Sequence, residues 1–217
     1  MYTNVADTRI VSVMSDFRPW ITYPPLTQQR LSIVANVICR ARNETLVLYD
    51  PTGGDNSWSH GCRAYARTCH ALRETAKQHE WLRILPEFEP LRFTFAIGTV
   101  PIRFYRGLPD EPPSRYLETT YAEVNQLQMA LEIEGLRPLD TILRLAIETD
   151  PLGDVTQVSL IELDEAKNIT NTHVIPLGTT ALSKVIPAQT KAIDVPPLNL
   201  EPLENRQSQL KTKKKSG

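Results

Sequence analysis

Apolar positions along this chain recur in two rhythms, and the places where one gives way to the other predict its elements. From Thr27, a residue suited to cap a helix N-terminus, Leu31, Val34, Ala35 and Ile38 fall on one stripe at helical spacing. The stem of Arg42 continues that stripe, and Asn43-Glu44 predicts its end. Leu46-Val-Leu-Tyr is then a short apolar run bounded by turn residues, the pattern of a buried strand. The loop Asp50-Pro-Thr-Gly-Gly-Asp-Asn follows, with Asp55, Asn56 or Ser57 placed to cap a second long helix. In that helix Cys62, Tyr65, Ala66, Cys69, Leu72 and Ala76 share the side expected to face the core. His60, Arg63, Arg67, His70 and Lys77 share the other, with Glu74 among them.

Period two replaces this rhythm from residue 91. Leu91-Arg-Phe-Thr-Phe-Ala-Ile-Gly-Thr-Val-Pro-Ile-Arg-Phe-Tyr reads as a hairpin, and Gly98-Thr99 has the Gly-X form of a type II′ turn. The turn pairs Ile97 with Val100, Phe95 with Ile102 and Phe93 with Phe104, which puts all six on one face. Arg92, Arg103 and Tyr105 go to the other, expected to be wet, and Pro101 marks an edge strand or a bulge. A helix over 115–134 follows a Pro-rich loop, with Leu117, Tyr121, Val124, Leu127, Gln128 and Leu131 as its apolar stripe and Gly135 as its stop. Residues 142–148, 155–163 and 169–175 are β-rich runs joined by Pro151-Leu-Gly-Asp and Asp164-Glu-Ala-Lys-Asn, an antiparallel meander.

These elements predict an α+β fold: a largely antiparallel sheet, hairpin plus C-terminal meander, against two or three helices, with a parallel neighbour possible at Leu46. The domain is expected over 5–178, including a strand at Arg9-Ile-Val-Ser-Val-Met. Prolines 187, 196, 197 and 202 and the ending Lys211-Thr-Lys-Lys-Lys make 179–217 a disordered, Lys-ended tail. Near the start, Arg18-Pro-Trp-Ile-Thr-Tyr-Pro-Pro reads as an extended segment whose aromatics pin a loop to the core.

Net charge is −1, yet its distribution is uneven. Residues 18–106 carry 12 Lys+Arg against 7 Asp+Glu, 107–165 carry 3 against 13, and 166–217 carry 8 against 3. Arginine dominates the basic part, Lys77 being the only lysine before Lys167, and arginine suits bidentate pairing with phosphate or carboxylate. Basic and acidic segments could also face each other, in one chain or across a homo-oligomer. The three cysteines, Cys39, Cys62 and Cys69, have no disulfide-framework spacing. Free thiols, no signal-peptide pattern and no apolar run near ~20 residues point to a cytoplasmic protein without a membrane span.

Catalytic signatures fail on spacing. There is no GxGxxG, P-loop, HExxH or GxSxG motif. Glu165-Ala-Lys167, with Asp150 and Asp154 upstream, has the Glu-x-Lys form of metal-dependent nucleases, but it falls on a hairpin turn that aims side chains at solvent. A glycine loop before a helix N-terminus can hold an anion, although Asp50 and Asp55 would repel one. For an enzyme of phosphoryl or nucleotide chemistry, Asp50, Asp55 and His60 are the candidates. The favoured reading is a non-catalytic binding protein with no cofactor or metal. Arg63, Arg67, His70, Lys77, Arg92, Arg103 and Tyr105 would engage nucleic acid or an acidic protein partner. The third reading is an oligomeric interaction subunit.

Overall fold

A computed structural model describes residues 17–86, 91–134 and 141–178. They belong to the first of two units, residues 1–186; the second, 187–217, lies outside the described residues, as do the strand expected at Arg9–Met14 and the tail expected over 179–217. The short helix α1 (Pro19–Thr22) replaces the expected extended segment. Tyr23 after it is pinned inside: its hydroxyl donates to the Glu162 carboxylate and meets Thr141 Oγ1 at 2.8 Å. Trp20 packs edge-on against His173.

Helix α2 (Gln28–Leu46) starts at the Thr27 cap, whose hydroxyl accepts from the Arg30 amide. Its buried stripe includes Leu31, Val34, Ala35, Ile38 and Arg42, as the spacing predicts. The helix does not stop at 43–44. Asn43 turns inward and accepts from the Val155 amide at 3.0 Å, and Thr45 donates to the Arg42 carbonyl at 2.6 Å. These contacts carry the helix to Leu46, so the strand expected at 46–49 does not form; Val47, Leu48 and Tyr49 are exposed in a turn. The glycine loop therefore joins two helices.

Helix α3 (Ser57–Ala76) is capped by Asn56, which accepts from the amides of Trp58 and Ser59, while Ser59 Oγ accepts from the Asn56 amide. Its inward arc is rotated from the expected one. Ala64, Thr68, Cys69 and Leu72 are buried with His60, whereas Cys62 and Ala66 face out. Two polar residues, His60 and Thr68, occupy core positions and so blur the apolar pattern.

One six-stranded sheet follows in the order β1-β2-β3-β4-β5-β6. β1 (Leu82–Ile84), β2 (Phe95–Ile97) and β3 (Val100–Arg106) form its first half, with Phe95 opposite Ile102 and Ile97 opposite Val100, as the turn chemistry predicts. Gly98 has φ +61°, and a Cβ there would sit 2.7 Å from Pro25 Cβ. Phe93 lies just before β2, and its ring still meets Phe104 at 6.1 Å. The meander is β4 (Ile142–Thr149), β5 (Val155–Leu163) and β6 (Ile169–Ile175), all antiparallel. The last described residues, to Gly178, return to α2, where the Gly178 amide donates to Asn36.

β3 and β4 are parallel, with Arg103 opposite Arg144, and this departs from the expected placement of the parallel neighbour at Leu46. β3 is thus an interior strand. Pro101 is tolerated because it lies opposite Ala96, before the ladder to β4 begins at Arg103. The expected 115–134 helix is divided into α4 (Ser114–Leu117) and α5 (Tyr121–Glu134). Thr120 and Glu123 make a capping box between them: Glu123 accepts from the Thr120 amide at 2.7 Å, and Thr120 Oγ1 accepts from the Glu123 amide at 3.2 Å.

This crossover covers the sheet face opposite α2 and α3, which overturns the expected wet face. Arg103 is 1% exposed and Tyr105 2%. Tyr105 packs on Tyr116, and Arg103 lies over the same Tyr116 ring while donating to the carbonyls of Arg115 and Glu118. Arg144, 0% exposed, donates to the carbonyls of Tyr116 and Glu118 and pairs with Glu123. Burial pushes its guanidinium down to about 10, against the opposing pull of Glu123. Glu123 turns α5 so that Ala122, Glu123 and Gln126 face inward; Tyr121 and Val124 of the expected stripe are exposed.

A buried pair broken on one side strands the other charge. Glu123→Ala is therefore expected to destabilise the fold by about 3–5 kcal/mol, measured by urea denaturation. A loss below about 1 kcal/mol, the range of an exposed pair, would show that Arg144 does not depend on this carboxylate.

Candidate functional site

The loop between α2 and α3 has the form of an anion cradle, but its donors are engaged within the loop. The Asp50 amide donates to Asp55 Oδ2 and the Thr52 amide to Asp50 Oδ1, each at 3.0 Å. The amides of Gly54 and Asp55 donate to the carbonyls of Pro51 and Asp50. Those of Trp58 and Ser59 go to Asn56. Asp50 and Asp55 are both held below the usual carboxylate range, Asp50 chiefly by Thr52 and Asp55 by the Asp50 amide and then Arg63. The loop thus supplies its own anions. Arg63 closes it, with Nη2 bidentate on Asp55 at 2.8 and 3.0 Å and Nη1 on the Leu48 carbonyl.

His60 points away from these carboxylates. It is 7% exposed, and its Nε2 lies 2.9 Å from Thr45 Oγ1. The Thr45 hydroxyl gives its one hydrogen to the Arg42 carbonyl, so Nε2 must be the donor to Thr45, leaving Nδ1 as the acceptor in the neutral ring. Gly153 packs beside the ring: a Cβ there would be 3.2 Å from His60 Cε1, at a φ of +97° that itself favours glycine. Asp50, Asp55 and His60 are therefore not gathered round one point. No group of three His, Cys, Asp or Glu among the described residues could hold a metal ion. The Glu-x-Lys match is also dispersed. Asp150 and Asp154 sit in the β4–β5 turn, and Asp164 to Asn168 form the turn at the far end of nine-residue β5, roughly 30 Å away by strand rise.

Of the residues expected to bind a partner, Arg67, His70 and Lys77 are exposed on one arc of α3. At about 100° per residue, Arg73 falls on the same arc; its guanidinium rests over Phe93. Lys77 reaches Glu74 at 2.7 Å, an exposed pair. Arg92 is half-buried, 3.6 Å from Glu118. Arg63 is occupied by the loop, and Arg103 and Tyr105 belong to the interior, so they leave the binding surface.

The spacing argument missed a second cationic group. Arg42 on α2, His60 on α3 and Arg106 at the end of β3 are linked electrostatically: the field of Arg106 acts on Arg42, and those of both arginines act on His60. Arg42 is 6% exposed, and neither its Nε nor its Nη2 has a hydrogen-bond partner among the described residues. Burial, and then the field of Arg106, pushes it down to about 10. The only sequence signal was a charged residue at the next position of the α2 core stripe.

Burial holds His60 below its ordinary value, and the fields of Arg42, Arg106 and Arg63 add to the effect; Asp55 opposes it and is outweighed. The fold therefore favours neutral imidazole. Its contribution to stability is complete above the ordinary value near ~6.5 and is lost as pH falls through it toward the lower folded value. The Tm is expected to decline between about pH 7 and 5, and His60→Gln to flatten that decline; an unchanged slope in the variant would remove His60 as its source. The Asp50 and Asp55 contributions are lost only at lower pH, in the carboxylate range near ~3.9 and below. Comparison with known protein families, with characterised proteins and with solved structures finds no match to this chain.

Proposed function

We propose that this is a non-catalytic binding protein whose outer α3 face engages an anionic partner, either nucleic acid or an acidic protein surface. The observation that carries the reading is the exposure of Arg67, His70 and Lys77 on one helical arc, within a stretch, 18–106, that holds 12 basic against 7 acidic residues. Helical spacing puts these side chains along a ridge that can follow a row of negative charges. The catalytic alternative has less support: the glycine loop's amides are engaged by its own carboxylates and carbonyls, so a phosphate would have to displace them.

Fluorescence anisotropy with labelled 20-nucleotide single-stranded DNA, duplex DNA and a polyglutamate peptide tests this. If three cations neutralise phosphates, affinity for DNA falls about 20- to 40-fold between 50 and 200 mM salt. Arg67→Glu with Lys77→Glu lowers the salt slope by about two contacts. The proposal fails if no polyanion binds at low salt, or if the double variant binds with the same affinity and slope.

A further inference from the structure

The sheet ends differently on its two sides. β1, at one edge, is three residues long and carries exposed Arg83 at its centre, and a short, charged edge does not invite another strand. β6, at the other, has seven residues, Ile-Thr-Asn-Thr-His-Val-Ile, with no lysine, arginine, carboxylate or proline among them. Its pairing with β5 is regular from Asn171 to Ile175, and the irregularity lies at the Leu163 end. Among the described residues β6 pairs with β5 alone. Alternate residues of β6 therefore turn their amides and carbonyls away from the sheet. Such an edge is a template for one more strand.

The chain ahead of α2 leads to that edge. Traced backwards, Pro25 lies against Gly98 in the β2–β3 turn, Tyr23 reaches Thr141 just before β4 and Glu162 of β5, and Trp20 packs on His173 of β6. His173 Nδ1 donates to the Phe17 carbonyl at 3.0 Å, and Phe17 packs against the core. Between Pro25 and Phe17 the chain thus crosses the sheet from β3 to β6, and its next position lies outside β6. Only Ser15 and Asp16 separate Phe17 from Arg9-Ile-Val-Ser-Val-Met. Three residue steps span roughly 10 Å, enough to pass from a covering position to a strand position about 5 Å beyond β6. Ile10, Val11 and Val13 are β-branched, the side chains that suit a strand. Period two sets Ile10 and Met14 against one face of a sheet and Val11 and Val13 against the other. The margin of β6 is apolar on both faces: Trp20 lies on His173, and Val174, next in the strand and so on the opposite face, is 47% exposed.

We infer that the open edge of β6 is a docking site for this chain's own residues 9–14, which add to it as a further strand. A second copy of the chain would have to displace a segment whose short tether gives it an effective concentration of roughly mM. The contact does not depend on the binding read from the outer face of α3.

The test is hydrogen–deuterium exchange of the full chain, read on peptides that cover β6. These are expected to exchange slowly, with protection unchanged on dilution. Val11→Pro with Ser12→Pro removes a donor to β6 whichever of the two amides faces it. Exchange in β6 then rises about tenfold or more, while α2 and β4 keep their protection, which distinguishes an opened edge from an unfolded chain. Val11→Ile with Ser12→Thr retains the protection of β6. A second measurement needs no broken strand. A nitroxide on Ser12→Cys, in a chain with Cys62→Ser so that the remaining thiols, Cys39 and Cys69, are buried, broadens the amide resonances of β6. It spares those of β1, roughly 24 Å away across five strand spacings. The inference is overturned if β6 exchanges freely in the full chain or if the proline variant leaves its protection unchanged. It is overturned equally if that protection falls on dilution, the mark of a second copy on the edge, or if the nitroxide affects the two edges alike or neither.

Discussion

β3 and β4 run in the same direction, and most of what distinguishes this structure depends on that pairing. A parallel pair cannot be closed by a tight turn; the chain must leave one end of the sheet and return to the other. Here it returns through α4 and α5, which lie across the face opposite α2 and α3. A hairpin and a meander that alone would each leave one side in water are thereby buried on both. Arg103, Tyr105 and Arg144, at surface-type positions by pattern, become interior residues. The gap between α4 and α5 is part of the same solution. It exposes the carbonyls of Arg115, Tyr116 and Glu118 to the two guanidinia beneath, and the Thr120–Glu123 box restarts the helix with its carboxylate aimed at Arg144.

Charge in this protein is organised by local satisfaction. Although the basic and acidic residues are segregated along the sequence, the contacts between them are short-range and specific. Arg63 with Asp55 closes a loop, Arg144 with Glu123 fixes a crossover, and Tyr23 with Glu162 anchors the segment ahead of α2. Arg42 stands out because it repeats the burial of Arg144 with neither a carboxylate nor a carbonyl on its Nε or Nη2 among the described residues. Its neighbours Arg106 and His60 add positive charge or can acquire it. Burial first, and then these neighbouring fields, hold both Arg42 and His60 below their ordinary values.

The glycine loop illustrates how a feature suited to anion binding can be filled internally. Helix α3 presents free amides and a positive dipole end at Asn56, the usual ingredients of a phosphate site. The Asn56 side chain occupies the amides of Trp58 and Ser59 instead, and Asp50 and Asp55 take the loop amides of Thr52 and Asp50. Their effect is to rigidify the link between two packed helices and to leave Arg63 spent on the same loop. Any recognition by α3 accordingly falls to its outer arc, past the first turn.

Local chemistry alone was enough for several elements. The Thr27 cap, the α2 stripe, the Gly98-Thr99 turn with its register, and the three meander strands were legible because turn type, capping and period two act between near neighbours. The exposed arc of α3 was legible at Arg67, His70 and Lys77 for the same reason. The division at Thr120 carried a readable Thr-x-x-Glu signal that the apolar stripe obscured. What no local pattern contained was the direction of β4 relative to β3, the extension of α2 through Asn43 and Thr45, and the inward turn of His60. Each depends on a partner distant in sequence: Arg144 for Glu123, Val155 for Asn43, and the packed α2 for His60. A polar residue reads as exposed until the group that satisfies it is in place, and only the tertiary structure supplies that group or, at Arg42, leaves it wanting.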